Sequence, residues 1–187
     1  MKTATQNLEN DHDHILQLIE VMYNMANVKS GSADDIETVI TIIRNYADGF
    51  HHAKEENLLF PAMEEKGFSN TQGPIAVMLH DHELGRNFVK GMTEGLTQYR
   101  NGSMQAMDVI YDNMLKYGQL LQNHIAKENN ILFRMADNAL SIGEQQQLLK
   151  EFEEIEQSEA YGANISTYIA AINNLKVLYN NKATVND

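Results

Sequence analysis

Two stretches of this chain carry the same pair of candidate metal ligands at the same spacing. The first reads His51-His52-Ala53-Lys54-Glu55-Glu56-Asn57-Leu58-Leu59-Phe60, the second His124-Ile125-Ala126-Lys127-Glu128-Asn129-Asn130-Ile131-Leu132-Phe133. Aligning Ala-Lys-Glu on Ala-Lys-Glu lays His51 over His124 and Glu55 over Glu128. Residues i and i+4 of a helix share one face, so each pair can reach a single ion. Two such pairs on two helices predict a binuclear metal site inside a helical bundle.

The other five histidines separate by the faces they occupy. His12 falls on an apolar stripe, four after Leu8 and three before Ile15, and His82 follows Met78 by four. The dipeptide Asp11-His12 is repeated as Asp81-His82. His12 and His82 are therefore expected as ligands, while His14 and His80 point elsewhere and are expected in solvent or outside the ligand set. His52 has Ile125 as its counterpart, so the repeat gives it no support. An apolar counterpart nonetheless implies that His52 faces protein, where a second ion would use it. Glu56 and Lys54 are expected to be solvated.

Glu128 is the most telling residue. It occupies one place in a seven-residue series otherwise filled by Met107, Met114, Leu121 and Met135. A carboxylate buried in such a stripe costs several kcal/mol unless a cation or firm hydrogen bonds compensate. The competing readings are a lysine-paired glutamate for Glu128 and a histidine bonded to a backbone carbonyl for His12.

The proposed ligand set is His12, His51, His52, Glu55, His82, His124 and Glu128. Five imidazoles and two carboxylates exceed what one ion takes and suit two ions that share carboxylates. Mixed imidazole and carboxylate donors without thiolate favour iron, manganese or zinc. Magnesium and calcium prefer all-oxygen shells. Two octahedral ions with three bridges would keep an open position for dioxygen, nitric oxide, peroxide or azide. Tyr46, Tyr111 and Tyr117 are hydroxyls that the pattern does not place. The methionines on the inferred core faces read as ordinary packing.

Helices must hold these groups. Apolar residues recur every three or four positions over Leu8–Asn27, Ala33–Glu65, Pro74–Tyr99 and Met104–Asn138. Ser32 is placed to cap the second helix, with Asp34 and Asp35 in its first turn. The expected stripe of that helix includes Leu58 and Ala62; that of the fourth includes Ile131. Pro61 should kink or end the second helix, and Pro74 suits a first helical position. Short links favour antiparallel neighbours. The expected fold is all-α: an antiparallel up-down four-helix bundle over residues 1–140, with a helical extension over 141–187 packed on it. Ser141–Gln157 and Ala163–Leu178 read as the helices of that extension. They pack on, extend or cap the bundle, or join one chain to another.

Composition bounds the remaining classes. With 187 residues and 43% hydrophobic content, the chain reads as one globular domain. It has no cysteine, which excludes disulfides and thiolate-held clusters and suits a reducing cytoplasm. A net charge of −12 without a basic stripe disfavours nucleic acid and anionic membranes as partners. No apolar run is long enough to span a bilayer. Oligomeric state is not fixed by these features.

Taken together, the motifs resemble those of the hemerythrin-like (HHE cation-binding) family over about Leu8–Ala139. The match rests on Asp11-His12-x-x-Ile15, His51-His52-Ala-Lys-Glu55-Glu-Asn-Leu-Leu-Phe-Pro61, Asp81-His82-Glu-Leu-Gly85-Arg86 and His124-Ile-Ala-Lys-Glu128. The resemblance implies a four-helix bundle holding two non-heme iron ions with an oxo or hydroxo bridge, each Glu spanning both. It also implies a protein that binds dioxygen or a related diatomic ligand for carriage, storage or sensing. The alternative it offers is a di-iron oxidoreductase acting on peroxide, nitric oxide or oxygen in stress defence or iron homeostasis. The sequence departs from the oxygen-carrying members around His82, where Met78 and Arg86 stand four residues to either side in place of a second histidine. His52 is the candidate replacement, which changes the shell of one ion and weighs against reversible oxygen carriage.

Overall fold

The computed structural model describes residues 2–158 and 162–183, so parts of the expected C-terminal extension, 159–161 and 184–187, lie outside the described residues. The architecture is an all-helical bundle without strands among the described residues. Helix α1 (Ala4–Asn27) opens on a capping box in which Thr3 and Gln6 satisfy each other's backbone N–H groups. That cap starts the helix a turn before the expected Leu8. Helix α2 (Ala33–Ile42) is capped by Ser32 with Asp34 and Asp35 in its first turn, as the sequence predicts. It continues through π-helical turns at Ile43–His52 and Glu55–Leu59 into α3 (Phe60–Glu64).

Helix α4 (Gly73–Arg100) begins with Gly73 at φ +75 and Pro74 in the first turn. Helix α5 (Ala106–Lys127) runs through a π-helical turn at Glu128–Leu132 into α6 (Phe133–Ala139). A second capping box, between Ser141 and Glu144, starts α7 (Ile142–Gln157), and α8 (Gly162–Ala183) follows. Pro61 does not end its helix. It sits in the first turn of α3, where a missing N–H is tolerated, and its carbonyl still accepts from Glu65.

The π-helical turns correct one expectation in both halves of the chain. Each short one starts at a Glu of His-x-x-x-Glu, with Phe60 N–H reaching the Glu55 carbonyl and Phe133 N–H reaching that of Glu128. A π turn holds more residues than an α turn, so the buried face shifts along the sequence beyond it. Leu59, Phe60, Leu132 and Phe133 are buried. The expected stripe residues are displaced: Leu58 and Ala62 are only half-buried, and Ile131 is 53% exposed.

Two apolar cores flank a polar layer. One contains Ile15, Phe50, Val89 and Leu121. The other contains Leu8, Leu59, Met78 and Leu132. On each of the four rods the stretch between the two cores carries the histidines and glutamates: His12, then His51 to Glu55, then His82, then His124 to Glu128. Helix α8 lies along α1, and α7 touches α1 and the Glu55–Leu59 turn. Phe152 of α7 enters the second core, whereas Ile172, Leu175 and Tyr179 of α8 enter the first. Among the described residues no helix is long and apolar enough to cross a membrane.

Candidate metal centre

The polar layer brings all seven expected residues together as two buried clusters. His12, His51, Glu55 and Glu128 form one; His52, Glu55, His82 and His124 form the other, and in each the ligand atoms lie within 4.8 Å of one another. His80 is exposed, as expected. His14 is half-buried beside the ring of Tyr46, outside both clusters.

The imidazoles are aimed by their Nδ1 atoms. His12 Nδ1–H donates to Asn129 Oδ1 at 2.7 Å, and His82 Nδ1–H to Glu56 Oε1 at 2.7 Å. His51 Nδ1 faces Asp11 Oδ2 at 3.2 Å and His52 Nδ1 faces Asp48 Oδ1 at 3.2 Å. His124 Nδ1 lies 3.5 Å from Asp81 Oδ2 and makes no hydrogen bond. A proton on Nδ1 leaves the Nε2 lone pair free, the tautomer a metal requires. Those lone pairs meet: His12 and His51 approach to 3.0 Å between Nε2 atoms, and His82 and His124 to 3.1 Å. Facing lone pairs repel unless a proton or cation lies between them.

The two glutamates tie the clusters together. Glu55 reaches His51 Nε2 and His82 Nε2, each at 3.6 Å. Glu128 Oε2 lies 3.2 Å from both His12 Nε2 and His124 Nε2. Both side chains are fully buried, yet none of their four oxygens has a hydrogen-bond partner. Burying unpaired carboxylates is costly, and a cation between the clusters would offset that cost. These orphaned oxygens and converging Nε2 atoms fit a pair of transition-metal ions.

The local electrostatics agree. Burial holds the His51 imidazole well below its usual range and His52 down at about 3; it lowers His82 as well. Neutral imidazole is the ligating form. Burial, reinforced by the neighbouring Glu128, pushes the Glu55 carboxyl well above the usual carboxylate range. Burial also acts upward on Glu128, but His124 and His12 outweigh it and hold that carboxyl low.

Two expectations about neighbouring residues are overturned. Lys54 is fully buried rather than solvated, 2.5 Å from Asp11 Oδ2. Its counterpart Lys127 pairs with Asp81, so a Lys–Asp pair beside a clustered histidine recurs in each half, hydrogen-bonded to His51 in one and 3.5 Å from His124 in the other. Glu56 is likewise not free in solvent: it accepts from His82 and from Arg86, and Arg86 also donates to Asp48. The sequence held a usable signal for these partners, because Asp-His and Ala-Lys-Glu are both repeated. Tyr111 bonds to the backbone of Gly31, in the loop beyond α1. Tyr46 donates to Asp11 Oδ1 at 3.4 Å. Tyr117 lines a cleft of about 120 Å³ that reaches His52 and His82.

Comparison with known proteins places this geometry in context. Residues 3–136 match the hemerythrin HHE cation-binding domain. The chain is 26% identical over 139 residues to the iron-sulfur cluster repair protein YtfE of Edwardsiella ictaluri, covering 71% of this chain and 62% of that one. It is 35% identical over 89 residues to YtfE of Pectobacterium carotovorum, covering 46% and 40%. An uncharacterized protein of Mycobacterium tuberculosis is 24% identical over 160 residues, covering 82% and 61%. The chain thus spans between 40% and 62% of the length of these relatives. No solved structure gives a significant match.

Proposed function

Because the chain belongs to the hemerythrin HHE cation-binding family, we propose that it is a di-iron protein that binds dioxygen or a related diatomic ligand. His12 and His51 would hold one iron and His52, His82 and His124 the other, with Glu55 and Glu128 within reach of both. The observation that carries this reading is that each glutamate lies within 3.6 Å of an imidazole Nε2 from both clusters while its oxygens make no hydrogen bond. Iron bound there supplies electrons and an open coordination position, neither of which these side chains provide.

The chain's own residues prepare the site. Asp11, Asp48, Glu56 and Asn129 hold the Nδ1 protons and point each Nε2 inward. The two apolar cores close the layer from above and below and limit water. The cleft beside His52 and His82 gives a small molecule a way in. The bundle frame is read as up-down and antiparallel over residues 1–140, with 141–187 as a separate helical extension. Along α1 and α4 the second core precedes the first, and along the other two rods the order reverses, which supports that reading.

A second reading is favoured by the relatives whose names specify iron-sulfur cluster repair. In it the same centre works as a di-iron oxidoreductase on nitric oxide, peroxide or oxygen in stress defence. One experiment separates the two. The iron-loaded protein is exposed to oxygen and then to vacuum, followed by its charge-transfer absorption. Reversible absorption supports a binding protein; irreversible oxidation with peroxide turnover supports the enzyme. A chain that holds no iron after anaerobic reconstitution refutes both.

A further inference from the structure

Lys54 is a buried cation enclosed from two sides. Its side chain is 0% exposed, whereas that of its counterpart Lys127 is 37% exposed. Nζ contacts Asp11 Oδ2 at 2.5 Å and donates to Asn7 Oδ1 at 2.7 Å and to Glu156 Oε1 at 3.3 Å. It also sits 4.3 Å above the ring of Phe50 and 5.5 Å from that of Phe152. Glu156 and Phe152 both belong to α7, outside the four rods that carry the ligands. Asn7 donates to the same Glu156 oxygen at 3.1 Å, which fixes the carboxylate in place. In the other half, Lys127 pairs with Asp81 alone among the described residues, and Asp81 stands off from His124 at 3.5 Å. The helix α7 therefore completes one of two equivalent Lys–Asp pairs.

We propose that Glu156 is a positioning residue for the metal held by His12 and His51, and that α7 thereby responds to occupancy of that cluster. The proposal rests on the di-iron reading above. Glu156 draws part of the Lys54 charge away from Asp11. Asp11 keeps more negative charge for the Nδ1–H of His51, and the His51 Nε2 becomes a stronger donor. Without Glu156, Lys54 bears on Asp11 alone and His51 is held less firmly. Linkage makes the effect reciprocal: if docked α7 tightens metal at this cluster, metal at this cluster tightens the docking of α7. Among the described residues Lys127, the counterpart of Lys54 at the other cluster, has no partner on α7.

The test uses the full chain and ferrous iron added without oxygen. Iron affinity is measured by titration, the two irons are distinguished by Mössbauer spectra, and α7 is followed by amide hydrogen exchange. Wild-type α7 should exchange more slowly once iron is bound. Glu156→Gln should weaken one iron, the one with two imidazoles, by roughly two- to fivefold, less than the tenfold or more expected of a partner that touches the ligand itself, because Glu156 acts through Lys54 and Asp11. It should also abolish the iron-dependent slowing in α7, and Glu156→Asp should restore part of both. Lys127→Gln should affect the other iron and leave α7 unchanged. Should Glu156→Gln fold poorly, Phe152→Leu keeps every charge while loosening the cover, and is expected to weaken the same iron by less. Two irons bound by Glu156→Gln as tightly as by wild type would overturn the proposal, as would wild-type α7 exchange that ignores iron. A wild-type chain that takes up no iron refutes the di-iron reading instead.

Discussion

His52 lies flat against His82, with ring centroids 3.7 Å apart and planes within 13°. This stack is where the chain breaks its own two-fold pattern. The position equivalent to His52 holds Ile125, buried in the first core. One cluster therefore has three imidazoles and the other two, and the extra one adjoins the cleft.

Replacing His52 by Ala should weaken one iron by at least about tenfold, since even outer partners of a ligand are worth that much. His80→Ala should change nothing, because His80 is exposed and outside both clusters. Iron titration of the two variants checks this, and equal indifference to both changes would remove His52 from the ligand set.

The two buried glutamates should be costly when metal is absent. Glu128→Ala is expected to lose at least one iron per chain by metal analysis. The double variant Glu55→Met and Glu128→Met should bind no iron pair, yet melt higher than wild type when both are metal-free. Exchanging buried charges for apolar groups of similar volume is worth roughly 1–4 kcal/mol, or about 2–4 °C per kcal/mol in a domain of this size. A lower melting temperature would show that the carboxylates are compensated by something other than metal.

Glu56 and Asn129 occupy equivalent positions, each 2.7 Å from the Nδ1 of a ligand histidine, but only Glu56 is charged. Glu56→Gln should weaken the iron held by His82 by about tenfold. Asn129→Asp should strengthen the iron held by His12. Titrations that place both effects on the same ion would contradict the assignment of the clusters.

Stability without metal should peak near neutral pH. Burial lowers His51, His52 and His82 below their ordinary 6.5. Their contribution is present above 6.5 and lost as pH falls; for His52 the loss runs from 6.5 to about 3. Each histidine contributes a slope of at most about 1.4 kcal/mol per pH unit. Burial raises Glu55 above its ordinary 4.5, so its penalty grows as pH climbs past that value. Bound iron removes the Glu55 penalty. The rise in melting temperature on adding iron should therefore be larger at pH 6 than at pH 4.5, where the Glu55 penalty begins, by calorimetry. A difference that shrinks with pH would reverse the sign assigned to Glu55.

The residues of the two clusters were legible because they violate a local rule. His12, His82, His124 and Glu128 interrupt apolar stripes, and the doubled His-x-x-x-Glu marks where the interruptions coincide. The same periodicity misplaced Leu58 and Ile131, three residues past each glutamate, because an α-helical period cannot anticipate a π turn. Lys54 was misread for a different reason. A lysine between a glutamate and an alanine looks solvated until Glu156, 102 residues away, is folded against it. Glu56 was misread because its partners, His82 and Arg86, come from another helix.

The sequence alone determined the helical rods, the Ser32 cap and the seven residues that gather in the polar layer, since each depends on residue type and spacing within a few turns. Tertiary structure decided which oxygen holds the Nδ1 of His12, His51, His52 and His82, which lysine loses its water, and how α7 reaches a cluster it does not line. Those outcomes depend on charge compensation between groups distant in the chain, and such compensation has no period to read.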